Sequence, residues 1–375
     1  MKKLLVVLAV VVAVVIAVIV LNRSKSDGKD VRIGAILPLT GDAGSYGTGL
    51  KKGMDVALDG VNAQGGINGK KLVMVVEDSQ ADPAKAVNAF NKLRSVDRVP
   101  MVLGDMFSAG TLAIAPIAER NKIVLLSPSA SAVDLTKAGD YIFRIYPSDT
   151  YDGTYLAQFA HSKAKAKTVA IVYMQVASIS AIVQVFQSEF EKSGGKVVCA
   201  EAYKEGDTDF RSQLAKATAS NPDMIFIPGY LKEMANLLKQ AKELGVKTPF
   251  LSISTFADPK ILELAGDAAE GVQFSSPAFD AKSAAPEMQA FVGVFRKNFN
   301  QEPDILAGYG YDVVNIAAQA LRSSGEITSD NIKQALYGIK DYPGVTGVTT
   351  FDSNGDVVKQ LRMMCVKNGA FAPLP

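Results

Sequence analysis

The residues from 102 to 131 read VLGDMFSAGTLAIAPIAERNKIVLLSPSAS, and this stretch decides the class of fold that we expect. It holds two short apolar runs, Val102–Leu103 and Ile123–Leu126, and small residues with hydroxyl groups follow each run. The segment between them opens like a helix. A strand, a helix and a second strand in this order predict parallel strands whose carboxyl ends meet at one edge of a sheet.

Hydroxyl side chains gather at this expected edge. Ser108 stands where a helix N-cap is expected, and the free N–H groups behind a cap attract an anion. Ser108 and Thr111 follow the first strand, while Ser129 and Ser131 follow the second. Together they predict a hydroxyl-lined cradle for a small carboxylate or amide. The plainer alternative is a capped helix and an ordinary Ser-Pro turn, and the residues alone leave both interpretations open.

Length and composition limit the possible functions. The chain has 375 residues, which suits two lobes of roughly 150 residues each. A formal net charge of +2 with no basic stripe argues against a nucleic-acid partner. The only histidine, His161, lies in a polar run, so we expect neither a catalytic triad nor a histidine-rich metal site. Cys199 and Cys365 lie in apolar runs and are expected as free thiols, with a long-range disulfide as the alternative.

The amino terminus has the pattern of an export signal. Two lysines precede a continuous apolar run, Leu4–Leu21, whose length approaches that of a membrane span. The run lacks a small-x-small cleavage site before Asn22 and a cysteine for lipid attachment. We therefore expect residues 1–21 to be an export signal or membrane anchor, with an uncleaved anchor slightly favoured, and residues 22–30 to be a linker. The protein is expected to be periplasmic or otherwise extracytoplasmic.

Beyond the linker, strand-like and helix-like segments alternate. This alternation predicts an α/β fold with mostly parallel sheets and helices on both faces. It breaks near residues 141–150 and restarts at Thr168, which indicates a second lobe. Asn354-Gly355 predicts a hairpin turn. The surrounding Asp352–Asp356 faintly resembles a calcium loop but lacks the distal glutamate, so we expect no bound metal. The strand-like runs are Val31–Leu37, Leu72–Glu77, Met101–Leu103, Ile123–Leu126, Thr168–Tyr173, Val197–Ala200 and Met224–Ile227.

A glycine-rich segment near the first strand resembles a dinucleotide fingerprint only superficially. Gly47–Gly53 enters a helix, and Asp78 ends the second strand-like segment. The fingerprint requires its glycines directly at the strand end, so that a pyrophosphate reaches the helix N-terminus. Here Pro38–Tyr46 intervenes. We therefore expect no nicotinamide chemistry and no cofactor.

An ordered set of motifs resembles the branched-chain amino-acid-binding proteins of ABC transporters, which are type I periplasmic binding proteins of the leucine-binding family. The resemblance covers nearly all of residues 31–371, and its strength lies in the order of the motifs. They are Ile33–Gly41, Tyr46-Gly47, Asn62–Lys70, Asp82-Pro83, Ser127–Ala130 and Ala269–Gly271.

The resemblance implies two doubly wound α/β lobes, joined by a three-strand hinge, that close on a ligand. Lobe 1, the main cradle, is expected at 31–148 plus 277–348, and lobe 2 at 149–276 plus 349–375. By position, Ser108 and Ser131 would bind the ligand carboxylate, with Thr111 nearby. The carbonyl of Ser129 would accept a hydrogen bond from an α-ammonium group.

Aromatic residues complete the implied pocket. Tyr46 and Tyr230 would form its walls, with Tyr230 contributed by the second lobe. Phe107 and Phe256 are candidates for an apolar end of the pocket, and ordinary core packing is the alternative for both.

Two positions depart from the family pattern. Relatives specific for amino acids carry an acid that pairs with the ligand ammonium at the position of Ser254 here. They also carry an acidic stretch and Tyr-Gly where this chain has residues 174–179. A buried ammonium without a carboxylate partner is costly. The departures leave two expectations open: a carboxylate or amide ligand without an amine, or a replacement acid at Asp105 or Asp149.

The leading hypothesis is a solute-binding protein that is not an enzyme. It would capture a branched-chain amino acid or related small carboxylate and deliver it to an ABC permease. The alternative is a tethered sensor for an amine-free carboxylate or amide. We expect a monomer whose membrane contact, if residues 4–21 stay uncleaved, runs through that segment.

Overall fold

The computed structural model describes residues 30–374, in which strands and helices alternate as expected. The strands are β1 (Val31–Leu37), β2 (Leu72–Asp78), β3 (Met101–Leu103), β4 (Val124–Ser127), β5 (Ile142–Arg144), β6 (Thr168–Met174), β7 (Lys196–Tyr203), β8 (Met224–Phe226), β9 (Phe250–Ser252), β10 (Gln273–Pro277), β11 (Tyr342–Gly344), β12 (Gly347–Thr349), β13 (Leu361–Lys367) and β14 (Ala370–Pro373). The helices are α1 (Gly44–Ala63), α2 (Pro83–Lys92), α3 (Ser108–Asn121), α4 (Asp149–Gln158), α5 (Ala177–Lys192), α6 (Arg211–Ala219), α7 (Leu231–Glu243), α8 (Lys260–Ala265), α9 (Pro286–Phe299), α10 (Ile305–Ser323) and α11 (Ser329–Tyr337).

The first sheet is fully parallel and has the strand order β2-β1-β3-β4-β5. Its central strands β3 and β4 are buried along their whole length, because helices cover both faces of the sheet. Connections on the two sides of β1 and β3 leave in opposite directions. In such sheets a crevice opens at the carboxyl ends of these two strands.

The second sheet repeats the same winding as β7-β6-β8-β9-β10 and adds two antiparallel strands, β13 and β14. This repetition confirms the prediction of two doubly wound α/β units. It also places a second crevice at the carboxyl ends of β6 and β8, in the loops that precede α5 and α7.

The chain passes between the two sheets three times: after β5, after β10 and before β13. The boundaries expected from the sequence remain a prediction, and the packing bears on the last of them. Phe351 and Val357 belong to the buried cluster of the first sheet, whereas Leu361 begins β13 of the second sheet. We therefore propose that the third boundary lies between residues 357 and 361 instead of at 348.

Close packing of α1 against α10 holds the first lobe together. A Cβ atom at Gly53 would lie 1.8 Å from the carbonyl oxygen of Ala307, and one at Gly310 would lie 1.9 Å from that of Leu50. The two backbones therefore approach more closely than any side chain permits. The glycines of Gly47–Gly53 serve packing here, because a Cβ at Gly47 would also meet the Pro38 carbonyl at 2.0 Å.

The start of α3 differs from the expectation. Phe107 occupies the N-cap position and Ser108 is the first helical residue, so the prediction of Ser108 as N-cap is wrong. The reason is that the Ser108 hydroxyl accepts hydrogen bonds from the N–H groups of Ser131 and Ala132 on the neighbouring loop. Strands β5, β9 and β10 were not predicted from sequence, because none of them has more than two large apolar residues in a row.

Two further expectations concern thiols and membranes. Cys199 on β7 and Cys365 on β13 are free thiols, as expected. Between Asp30 and Leu374 no helix is long and apolar enough to cross a membrane. The predicted signal or anchor at Leu4–Leu21 lies outside the described residues.

Candidate functional site

The loops after β3 and β4 are joined by the hydroxyl of Ser108. Its Oγ accepts hydrogen bonds from the backbone N–H groups of Ser131 and Ala132, each at 3.1 Å. The two strand ends predicted to form a cradle therefore lie side by side. The serines at both positions are half-buried, which leaves part of each surface open to the crevice.

Two more serines lock the same pair of loops. Ser127 donates from Oγ to the Asp105 carbonyl at 2.7 Å, and Ser129 donates to the Met106 carbonyl at 2.8 Å. The Ser129 hydroxyl is therefore occupied. Its own carbonyl accepts no hydrogen bond from the residues that the structure describes. It is available to a donor in the crevice.

The first turn of α3 provides backbone donors. Phe107 forms no side-chain cap with residues in the described range, so the N–H groups of the first turn are not capped by a side chain. Thr111 lies one turn further on and is fully buried. Its hydroxyl donates to the carbonyls of Asp105 and Phe107, both at 2.9 Å. We therefore assign Thr111 to holding the helix start and leave it out of the proposed ligand contacts.

Aromatic side chains line the crevice from both lobes. Tyr46 meets the edge of Phe107 with ring centroids 6.2 Å apart. It also packs against the buried clusters of both lobes. Burial raises the pKa of Tyr46, and the charges of Asp258 and Tyr230 from the second lobe add to the effect. Tyr46 and Tyr230 both pack against the buried cluster of the second lobe.

Ser254 faces the first lobe from the loop after β9. Its hydroxyl lies 2.5 Å from the phenol oxygen of Tyr146, which sits where the chain first passes between the lobes. Tyr146 in turn packs on Tyr309, with ring centroids 5.1 Å apart. Phe256 is different: it is fully buried and packs on Phe274 in the core of the second lobe, so it does not line the crevice.

Two carboxylates lie in the first turn of α4, next to Ser131 on the loop after β4 and Ser254 on the loop after β9. Ser148 caps this helix, and Asp149 and Asp152 follow with 7% and 5% of their surfaces exposed. Burial raises the pKa of Asp149 to about 7; the Ser131 hydroxyl opposes the rise and the charge of Asp152 adds to it. Burial also raises the pKa of Asp152 to about 6, against the effect of the Ser275 and Ser254 hydroxyls.

Asp105, the other acid considered as a replacement, points elsewhere. Its Oδ1 accepts from the Met106 N–H, and its Oδ2 lies where a Cβ at Gly110 would be only 2.1 Å away. The carboxylate is thus tucked beneath α3, and burial raises its pKa to about 6. It does not face Ser254.

The remaining candidate motifs are accounted for by local structure. Asp78 accepts hydrogen bonds from the Leu39 N–H and the Thr40 hydroxyl, so it shapes the loop after β1. In the calcium-like turn, Asp352 accepts from the N–H groups of Asn354 and Asp356. Across residues 30–374 there is no group of three side chains suited to hold a metal ion.

The structure therefore brings most of the predicted site together and adds residues that the sequence missed. Ser108, Ser129 and Ser131 lie together at the strand ends of the first lobe, and Phe107 contacts Tyr46. From the second lobe, Ser254 meets Tyr146, and Tyr230 packs against the same buried cluster as Tyr46. Asp152 and Tyr146 were missed. The spacing Ser148-Asp149-x-x-Asp152 is a visible signal for two acids on one helical face after a cap, but nothing in it says that the face is buried.

Comparisons with known proteins identify the family of the chain. The family model described as periplasmic binding protein matches residues 30–370. A leucine-, isoleucine-, valine-, threonine- and alanine-binding protein of Pseudomonas aeruginosa is 30% identical over 330 residues, covering 87% of each chain. A Leu/Ile/Val-binding protein of Escherichia coli is 28% identical over 332 residues, covering 88% of each chain.

Solved structures give the same result. The leucine-binding protein LivK of Thermotoga maritima superposes with a TM-score of 0.85 at 28% identity, covering 92% of this chain and 98% of that one. The substrate-binding protein LivJ of Streptococcus pneumoniae, solved in complex with isoleucine, gives 0.84 at 31% identity over the same shares. These relatives are solute-binding proteins, which confirms the prediction of a binding protein that is not an enzyme. The chain belongs to the periplasmic binding protein family, in the group of branched-chain amino-acid-binding proteins of ABC transporters.

Proposed function

We propose that the protein captures a branched-chain α-amino acid between its two lobes and delivers it to an ABC permease. The observation that carries the proposal is the pair of strand ends that Ser108 joins to Ser131, beside which Tyr46 contacts Phe107 and packs against the buried clusters of both lobes. This arrangement offers donors for a carboxylate, an acceptor for an ammonium and an aromatic wall for an apolar side chain.

The ligand carboxylate is assigned to the start of α3. Backbone N–H groups in the first turn of a helix, together with the helix dipole, favour a negative charge. The hydroxyl hydrogen of Ser108 adds a donor, since its Oγ is held by two N–H groups as an acceptor. The Ser131 hydroxyl lies beside it and also faces the carboxylate of Asp149, which competes for its hydrogen. The Ser129 carbonyl then lies on the same loop as Ser131, where an α-ammonium can donate to it.

The apolar side chain of the ligand is assigned to Tyr46, Phe107 and Tyr230. Tyr46 and Phe107 already pack edge to face, and Tyr230 approaches from the second lobe. Aromatic surfaces bury an aliphatic group effectively without requiring a polar partner. A leucine, isoleucine or valine side chain matches this lining, whereas a charged side chain does not.

Capture by closure follows from contacts that span the lobes. The hydroxyls of Tyr146 and Ser254 meet across the gap, and Tyr46 packs against both buried clusters. A ligand that touches Ser131 of one lobe and Tyr230 of the other gains its full contacts only when the lobes are together. Such a ligand shifts the population toward the closed form.

The setting of the protein is part of the same proposal. Relatives are periplasmic binding proteins, which supports an extracytoplasmic location. We further propose that Leu4–Leu21 directs export and anchors the protein if it stays uncleaved, and that the protein acts as a monomer with a separate permease.

A thermal-shift screen of the purified protein tests the function. A ligand that binds only the folded state raises the melting temperature, by an amount that grows with its concentration relative to Kd. Leucine, isoleucine and valine are expected to raise it, while lysine and glutamate serve as matched amino acids with charged side chains. The proposal fails if none of the aliphatic amino acids produces a shift.

A further inference from the structure

We propose that Asp149 and Asp152 together supply the acid that is missing at position 254, and that they bind the ammonium group of the ligand. The inference rests on the proposed function and makes it more specific: the protein selects α-amino acids over amine-free carboxylates of the same shape.

Asp149 approaches the crevice from the side of the first lobe. Its N–H donates to the Ser131 carbonyl at 2.8 Å, and the Ser131 hydroxyl is close enough to lower the pKa of its carboxyl group. The carboxylate also acts on the phenol of Tyr230 in the second lobe. Asp149 therefore lies between a residue assigned to the ligand carboxylate and a residue assigned to the pocket wall.

Asp152 approaches from the side of the second lobe. The Ser254 hydroxyl donates to its Oδ2 at 3.4 Å, and Ser254 is the position where the resemblance implies an acid. Asp152 therefore places a carboxylate beside Ser254, on the turn of α4 that faces the loop after β9. The gap between Ser131 and Ser254 is flanked by an acid at each end.

Both acids have an oxygen that lacks a partner. Oδ2 of Asp149 and Oδ1 of Asp152 are buried and accept no hydrogen bond from any described residue. Each side chain is more than nine-tenths buried. A buried carboxylate oxygen without a hydrogen-bond donor is costly, so a ligand that supplies a donor to this pair stabilises the protein.

Among the described residues, Arg144 does not donate to the unpartnered oxygens of Asp149 and Asp152. Arg144 contributes a charge felt by Asp149, but its own donors are committed elsewhere. Its Nε and Nη2 donate to Asp356 at 2.6 and 2.8 Å, and its Nη1 donates to the Ala132 carbonyl. An ammonium group on the ligand is the donor that satisfies both acids.

The helix itself explains why two acids can be kept so close. Residues three apart lie on the same face, and the first turn of a helix stabilises negative charge. Their mutual repulsion remains in the free protein and is relieved by a cation between them. A ligand that brings a carboxylate without an ammonium leaves this repulsion in place, so it is rejected.

The test compares leucine with 4-methylpentanoate, which has the same carbon skeleton without the amine. Calorimetric titration of the unmodified protein is expected to show leucine binding about 100-fold or more tightly. Asp149→Asn and Asp152→Asn should each weaken leucine binding by about 10-fold or more, and the double substitution should nearly abolish the preference for leucine over 4-methylpentanoate. Asp105→Asn is the matched control, because it removes an equally buried acid that does not face Ser254, and it should leave the preference intact.

A second variant separates lost charge from disturbed packing. Adding Ser254→Glu to the double Asn variant returns an acid to the family position and is expected to recover at least about 10-fold in leucine affinity. Failure of this rescue, or an unchanged leucine preference in the double Asn variant, overturns the inference while leaving the proposed function intact. If the unmodified protein binds 4-methylpentanoate as well as leucine, the inference also fails, whether or not the variants fold. If it binds no amino acid at all, the inference and the proposed function fail together.

Discussion

At the scale of single residues, Ser108 does more than contact a ligand. One oxygen accepts two backbone N–H groups from the neighbouring loop, so the same hydroxyl that is proposed to bind the carboxylate also sets the distance between the two strand ends. Removing it should therefore damage both stability and binding.

We expect Ser108→Ala to lower the free energy of unfolding by about 1–3 kcal/mol, because two N–H groups lose their acceptor. Leucine affinity should fall by about 10-fold or more, since the cradle both loosens and loses a donor. Chemical denaturation and calorimetry measure the two effects. Ser193→Ala is the control, because that hydroxyl donates only to an exposed helix end, at the Glu189 carbonyl. Equal behaviour of the two variants would contradict the assigned role of Ser108.

The acid pair also predicts how binding depends on pH. The raised pKa values of Asp149, about 7, and Asp152, about 6, mean that both are partly protonated in mildly acidic solution without ligand. An ammonium partner favours the ionised forms and lowers both pKa values, so binding releases protons. Leucine affinity should therefore rise with pH, by about 10-fold between about pH 5.5 and pH 7.5.

Neighbouring groups do not compete with this titration. Burial raises the pKa of Tyr146 and of Tyr230, so neither phenol ionises in this range. Titrations in two buffers with different ionisation enthalpies count the released protons directly. A proton count of zero, or an affinity independent of pH, would argue against ionised acids at the ammonium. Other polar groups near the pair are the hydroxyls of Ser131, Ser254 and Ser275 and the phenols of Tyr155 and Tyr309, whose pKa values burial raises.

The roles of single residues could be predicted from sequence only where the residues that meet lie on consecutive elements of the chain. Ser108 and Ser131 follow consecutive strands, so their meeting could be inferred from the winding of a parallel sheet. The contact between Asp152 and Ser254 joins residues about a hundred positions apart in the chain, and Asp152 looks like any acid in the first turn of a capped helix. Its burial depends on the fold of both lobes, which residue patterns do not encode locally.

At the scale of elements, the crossing of α1 and α10 depends on glycine. Gly53→Ala should lower the free energy of unfolding by more than about 2 kcal/mol, because the added methyl overlaps the Ala307 carbonyl at 1.8 Å.

Gly60→Ala on the same helix is the matched control. No described atom lies within 4 Å of a Cβ at Gly60, so alanine should stabilise the protein by about 0.5–1 kcal/mol through helix propensity. Urea denaturation of both variants checks the pair. Similar changes of the same sign would mean that the two helices can separate slightly at little cost.

Elements were predicted best where they are long and apolar. Strand β1 has the bounds expected from sequence, because its seven residues form one continuous, mostly apolar run. The start of α3 was misassigned by one residue, since Ser108 has the chemistry of an N-cap and uses it on another loop. The misassignment therefore coincides with the proposed ligand site, where a tertiary contact outweighs a local preference.

At the scale of the whole molecule, the chain passes three times between two similarly wound sheets. The buried ion pair of Arg144 and Asp356 ties the third passage to the strand that precedes the first. The hydroxyls of Tyr146 and Ser254 meet where the lobes face each other. We therefore expect the pivot of lobe closure to lie beside the acid pair, so that ligand capture and lobe movement involve the same few residues.

Small-angle X-ray scattering of the purified protein, with and without leucine, tests the central claim most directly. Saturating leucine is expected to reduce the radius of gyration, while 4-methylpentanoate at the same concentration leaves it unchanged, because only an amino acid satisfies Asp149 and Asp152 and holds the lobes together. Identical scattering profiles with and without leucine, at a concentration shown by melting temperature to saturate the protein, would contradict capture by lobe closure.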